Sequence, residues 1–254
     1  TVDAAVNPGY ANTADNKQNP KWNDIGYDLS NQERGGHKYN RANSFAVDFY
    51  NEYNDPRASQ VYQLNVNGIV QGRAFGSADG GNEHNDVISG IGSGVLKSAT
   101  MAAILIPVTE TYFLRAEATQ RGYLTGGESA EDLYASGVTE SFKLLNVPDY
   151  ANAAATYMAQ PDGEVNFENS TDKIETILLQ KWIALNSFDP FESWADWRRT
   201  GIPSDLPISV YPGVSAPHIP YRLQYPTSEY SFNAANAKAQ GTIDPITSKI
   251  FWMP

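Results

Sequence analysis

The sequence predicts a mainly α fold: a helical scaffold that carries long loops and a small β-hairpin. Three observations predict it. From Pro107 to Arg199, apolar residues recur at helical spacing between capping and stopping residues. Before Pro107 the chain is punctuated by Asn, Asp, Gly and Pro, the composition of loops. Within that stretch, Asn67-Gly68 stands between two short apolar runs, a two-residue hairpin signal. With 254 residues and 41% hydrophobic content, the chain is long enough to bury a core.

Residues 1–44 lack sustained periodicity and read as long loops with at most one short helix. Ser44 to Tyr53 reads as a helix that the Asp55-Pro56 step ends. Val61 to Asn65 and the run from Ile69 form the predicted strand pair, and Gly72 to Gly94 is polar and turn-rich, a predicted surface loop. The string PVTETYFLRAEATQRG then opens the scaffold. Thr109 is placed to cap its helix, Glu117 and Arg121 stand four apart on an exposed face, and Gly122 stops it. After a Gly126-Gly127 turn, Ser129 caps a second helix in which Leu133, Tyr134, Val138, Phe142 and Leu145 share one face. Ala116, Ala118 and Gly137 leave room for the two backbones to approach, so the helices should pack antiparallel, in the manner of a tetratricopeptide-type pair. A third helix is expected near Asp149 to Gln160. A fourth runs from Thr171 to Asn186, with Ile174, Ile177, Leu178, Trp182 and Leu185 as its apolar stripe. The tail reads as proline-punctuated coil, a short helix over Ser228 to Lys238 and a strand-like Lys249 to Trp252. The chain thus divides into a loop-rich region with hairpin (1–106), a helical scaffold (107–202), and coil with a terminal helix (203–254).

ETYFLRAEATQRG, LYASGVTESF, KWIAL, ESWADWRRTGIP and PYRLQYPTSEYSFNAAN follow one another in an order that resembles the carboxyl-terminal half of the SusD/RagB family. The resemblance spans roughly residues 40–254. It implies a surface lipoprotein of the outer membrane in Bacteroidetes, one that captures a glycan or other nutrient for a SusC-like TonB-dependent transporter, with no catalysis and no cofactor. It also implies a protein about twice this length, of which the present chain is a carboxyl-terminal part. The family fixes no ligand-contacting residue by motif, so none is carried over.

Composition excludes several partners. A net charge of −11, with Lys and Arg scattered, disfavours nucleic acid and anionic membrane surfaces. The apolar stretch Met101 to Val108 is far too short to cross a bilayer, and Thr1 to Tyr10 has neither the basic start nor the apolar run of a signal peptide. Without cysteine there is no disulfide, no thiolate metal site and no lipid-bearing cysteine in this chain, so a membrane link through a lipid anchor follows from the resemblance alone. His37, His84 and His218 show no metal-type spacing. The glycine run Gly90 to Gly94 fails the phosphate-loop and serine-hydrolase patterns. The loop Asp79 to Asp86 is dense in oxygen donors, so a calcium site there stays open beside a solvated loop. Glu128 with Glu131 and Asp132, or Asp189 with Glu192, would serve a glycoside hydrolase if they faced one another across a cleft; at helix starts their commoner use is capping.

Aromatic residues are the remaining lever, because sugars present apolar C–H faces that stack on Trp and Tyr while amides and carboxylates bind the hydroxyls. Trp182, Trp194 and Trp197 read as core, Trp252 as packing in the terminal strand, and Arg198 and Arg199 as partners of helix carboxylates or tryptophan faces. Trp22 lies in the polar run Asn19 to Asp24, which should be an exposed loop. With Asn23, Asp24 and Tyr27 it forms the candidate ligand site, ahead of Tyr10, Tyr39 and the Tyr50/Tyr53 pair. The function expected is non-catalytic oligosaccharide binding; a docking subunit without ligand affinity, or a glycoside hydrolase, are the alternatives.

Overall fold

The structure, a computed structural model, describes residues 2–77, 86–214 and 216–254. Among them the order is β1 (Ala4–Val6), α1 (Pro20–Ile25), α2 (Gly35–Tyr39), α3 (Ser44–Glu52), α4 (Ala58–Val61), β2 (Ala103–Ile106), α5 (Val108–Gln120), α6 (Ala130–Leu144), α7 (Tyr150–Met158), α8 (Lys173–Leu185), α9 (Pro190–Thr200), α10 (Thr227–Phe232) and α11 (Ala234–Ala239).

The antiparallel pair α5/α6 forms as its residues dictate. Thr109 meets Gly137, Phe113 meets Tyr134, and Arg115 meets Glu128, so the partner number falls as the chain climbs α5. Gly137 sits where a Cβ would come within 3.0 Å of the Phe113 ring, which is the close approach anticipated for it. Gly122 adopts φ +77° and ends α5: its N–H donates to Thr119 O (2.9 Å) and that of Tyr123 to Ala118 O (2.8 Å). Ser129 caps α6 by accepting from Asp132 N at 3.1 Å. Two details differ from expectation. Thr109 caps nothing; its buried hydroxyl donates to Gly137 O at 2.7 Å and ties the two helices together. Ala118 is only half-buried, so Ala116 alone of the two alanines lies wholly inside the seam.

α7 and α8 complete the body. Asp172 caps α8 by accepting from Ile174 N (3.0 Å) and Glu175 N (3.1 Å). The helix is then buried on nearly all sides from Thr176 to Leu185, where a single apolar stripe had been expected. At its centre lies Arg57, fully buried ahead of α4. Its guanidinium donates to Asp55 (3.0, 3.0 and 2.6 Å), Ser141 of α6 (3.1 Å) and Gln180 of α8 (3.1 Å). It also lies 4.8 Å from the Phe142 ring centroid and 5.2 Å from that of Tyr157 in α7.

The sheet is not the predicted hairpin. The turn at Asn67-Gly68 forms, with Gly68 at φ +74°, but Asn65 closes it on itself by accepting from Asn67 N (2.9 Å) and Ile69 N (3.2 Å). The residues before the turn are engaged elsewhere: Val61 ends α4, Tyr62 bridges Ile91, and Gln63 N donates to Gly90 O at 2.9 Å. The strands that pair are β1 and β2, antiparallel, with Ala4 opposite Ile106. The expected surface loop after Gly72 also turns inward. Ile88 and Ser89 are buried, and Gly92 lets the chain pass Gln60, where a Cβ would lie 2.3 Å from its carbonyl oxygen. Further differences are helices within residues 1–44, a break between α10 and α11 at Asn233, and a turn where Lys249 to Trp252 had been read as a strand.

Because Arg57 and Asp55 are both wholly enclosed, removing one leaves an uncompensated charge inside the body. Arg57→Met should lower unfolding free energy by about 3–5 kcal/mol, read as a lower urea midpoint at unchanged slope.

Candidate functional site

The segment expected as a loop is helix α1, and its start is written in Asn19-Pro20. Asn19 accepts from Trp22 N at 3.1 Å and Pro20 occupies the first helical position, where a missing N–H costs nothing. Asn19 is nearly fully buried: its side chain donates to Met101 O at 3.0 Å and its N–H to Ala99 O at 2.7 Å, which moors α1 to the chain leading into β2. Gly26 ends the helix beneath the Trp22 ring; a Cβ there would lie 2.6 Å from Trp22 O and 3.1 Å from the indole.

This local geometry corrects the picture of an exposed tryptophan. Trp22 is half-buried, its ring centroid 5.3 Å from that of Tyr27 with the planes at 47°. Tyr27 in turn packs 4.8 Å from His37, which is fully buried with Nδ1 3.0 Å from Ile25 O. Gln63 Nε2 donates to the Tyr27 hydroxyl at 3.1 Å and lies 3.4 Å from His37 Nε2. The structure thus brings Trp22 and Tyr27 together as one aromatic pair, with half-buried Asn23 and exposed Asp24 on the same short helix. Among the described residues, Trp22 Nε1 and Asn23 Oδ1 are out of solvent and without a hydrogen-bond partner. Such atoms are uncommon in folded proteins and call for a physical reason. His37, set aside in the sequence for want of metal-type spacing, and Gln63, which nothing local marks, back the pair.

The other tryptophans are engaged in contacts that hold the fold. Trp194 and Trp197, expected in the core, lie in a half-exposed seam, since every residue of α9 retains some exposure. Trp194 donates to Pro220 O at 2.8 Å, and Arg198 sits 3.8 Å over Trp194 and 5.0 Å from Trp252. Trp197, His218 and Tyr221 gather with centroids 4.1–6.3 Å apart. These contacts bind the 218–221 segment to α9. Trp182 is half-buried against Phe45 and Phe49, and Trp252 is 41% exposed in its turn. Tyr39 is 84% exposed, whereas Tyr50 and Tyr53 are buried.

The acidic residues sort likewise. Asp132 and Asp189 sit at helix starts, Asp189 accepting from Glu192 N at 3.2 Å, and Glu128 pairs with Arg115 at 2.8 Å. Glu117 is buried, not on an exposed face; it binds Arg121 (2.8 Å) and, in bidentate fashion, Arg199 (2.6 and 2.8 Å). Burial alone would raise its pKa, but the hydrogen bonds from Arg199 and Arg121 outweigh it and hold the carboxyl below the usual range. His84 and nearly all of the Asp79 to Asp86 loop lie outside the described residues.

The sequence profile described as "Starch-binding associating with outer membrane" matches residues 2–226. The chain belongs to the SusD-like family. Among solved structures, a chitin-binding SusD homolog from Flavobacterium johnsoniae is 29% identical, with a TM-score of 0.65 over 84% of this chain and 49% of that one. A SusD homolog from Bacteroides vulgatus is 25% identical (TM-score 0.66; 83% of this chain, 48% of that one). A second Bacteroides vulgatus protein, 23% identical, shares the fold over 99% of this chain and 57% of its own, with a TM-score of 0.74. The SusD-like chain therefore spans about half the length of these structures. No curated protein matches it.

Since Gly26 lies directly under the indole, Gly26→Ala should destabilise the protein by about 1–3 kcal/mol through overpacking. The check is thermal unfolding, together with a change in the tryptophan fluorescence of the folded state as Trp22 is displaced.

Proposed function

We propose that this protein binds an oligosaccharide at the cell surface without cleaving it and passes it to a SusC-like TonB-dependent transporter in the outer membrane. The observation that carries the reading is the profile match over residues 2–226. The described aromatic pair supports it: Trp22 and Tyr27 offer apolar ring surface, and Asn23 and Asp24 offer hydrogen-bond partners for hydroxyls on the same helix. In this reading the sugar's C–H face lies against the outer edge of the pair, and a small swing of the Trp22 ring gives its unpartnered N–H a hydroxyl to bind. In this reading a lipid anchor holds the protein to the membrane, and no cofactor takes part.

The chitin-binding relative makes chitin oligosaccharides the first probe. Affinity electrophoresis through gels containing glycol chitin, starch and a panel of other soluble glycans should show retardation by one of them with no release of reducing ends. Tyr27→Ala and Trp22→Ala should each weaken that retardation up to about tenfold, the worth of one aromatic contact. Release of reducing ends would sink the non-catalytic reading. Retardation by no glycan would leave a docking role without ligand affinity.

A further inference from the structure

A cavity of about 550 Å³ opens between α1, β2 and the ends of α6 and α8, a volume typical of small-molecule sites. Most of its wall is apolar: Val95, Met101, Ile104, Leu105, Leu144 and Phe188. Four charged side chains also line it, Lys21, Lys97, Asp3 and Asp189. Each is committed to a helix end. Lys21 donates to Ser187 O just past α8, and Lys97 to Leu144 O at the end of α6. Asp3 accepts from Val108 N at 2.8 Å at the start of α5, and Asp189 from Glu192 N in the first turn of α9.

All four charges sit at the helix ends whose dipoles favour them, the carboxylates at the starts of α5 and α9 and the ammoniums at the ends of α6 and α8. Each ammonium has three donors and spends one on a carbonyl. Lys21 is half-buried, with the Phe188 ring centroid 5.3 Å from its nitrogen. We propose that this cavity binds a small monocarboxylate with an apolar tail or ring, the carboxylate meeting the free donors of Lys21 and the apolar body lying along the wall. The proposal is independent of the oligosaccharide reading, since the Trp22–Tyr27 pair is not part of this wall.

Burial lowers the Lys21 pKa to about 8, opposed by the charge of Asp189. Burial also lowers that of Lys97, opposed by Asp3. Raising the pH through 8 therefore discharges the ammonium that holds the ligand, and anion affinity falls.

Isothermal titration of the purified protein with octanoate and with its neutral isostere octanamide tests this. At pH 7 octanoate should bind saturably at one site, with octanamide at least about tenfold weaker. The octanoate affinity should drop about tenfold between pH 7 and 9.5 while that of octanamide stays constant, as expected when one charged contact is lost. Lys21→Met should abolish the preference for the acid. Absence of saturable octanoate binding, equal affinity for acid and amide, or an octanoate affinity that does not change with pH would each overturn the proposal. These readouts use the unaltered protein, so they stand even if the Lys21 variant fails to fold.

Discussion

The buried ion pair of Arg57 with Asp55 is the constraint around which the helical body is arranged. A guanidinium has five N–H donors in a fixed plane, and in the interior every one that lacks an acceptor carries a penalty. Here the acceptors come from three directions: Asp55 beside it in sequence, Ser141 on α6 and Gln180 on α8. Gln180 passes the constraint on, because its amide donates to the Tyr157 hydroxyl on α7 at 2.9 Å. Those helices can therefore pack only in the register that satisfies the guanidinium. Apolar faces such as Leu133, Val138 and Ile177 supply the larger share of the stabilisation, but they would tolerate a sliding of one helix past another that the polar centre does not.

The strongly periodic helices were legible in sequence because their signals are local and redundant. α6 has a serine cap, acidic residues in its first turn and a repeating apolar face, and each alone would suggest a helix. α1 has six residues, too few to show a period, and it lies in a run of polar residues. Its one signal was the Asn-Pro start, which a search for apolar recurrence passes over. The sheet failed for a different reason. Strand pairing between Ala4 and Ile106 is a long-range event in which neither segment names its partner, whereas Asn67-Gly68 marks a turn and says nothing of what its flanks will bond to. Arg57 was equally silent. An arginine after Asp-Pro looks like a surface residue until the fold closes over it.

The tryptophans show where residue type stops being informative. Trp194 and Trp197 come from a helix with arginines and were read as core, Trp22 from polar surroundings and was read as exposed, yet all three are half-buried. What separates them is how much of each ring is already used. Trp194 has its N–H bonded to a carbonyl and a guanidinium on its face, whereas Trp22 keeps an N–H with no partner among the described residues. Spare bonding capacity depends on neighbours distant in sequence, such as Pro220 for Trp194, and so no local pattern reports it.

The mooring of α1 bears on how a ligand would be held there. A six-residue helix has little stability of its own, and a tryptophan on a free one would have to be ordered by the ligand it binds. In this fold the ordering is done in advance. Asn19 fixes the start of α1 to the chain before β2, Lys21 fixes its first turn to the carbonyl after α8, and Ile25 at its end is tied through the His37 ring to α2. Three contacts to three different parts of the molecule define both the position and the rotation of so short a helix. On the proposed reading, the backbone that carries Trp22 is then held in place before any ligand arrives, so that only a small swing of the indole remains and little conformational entropy is lost on contact.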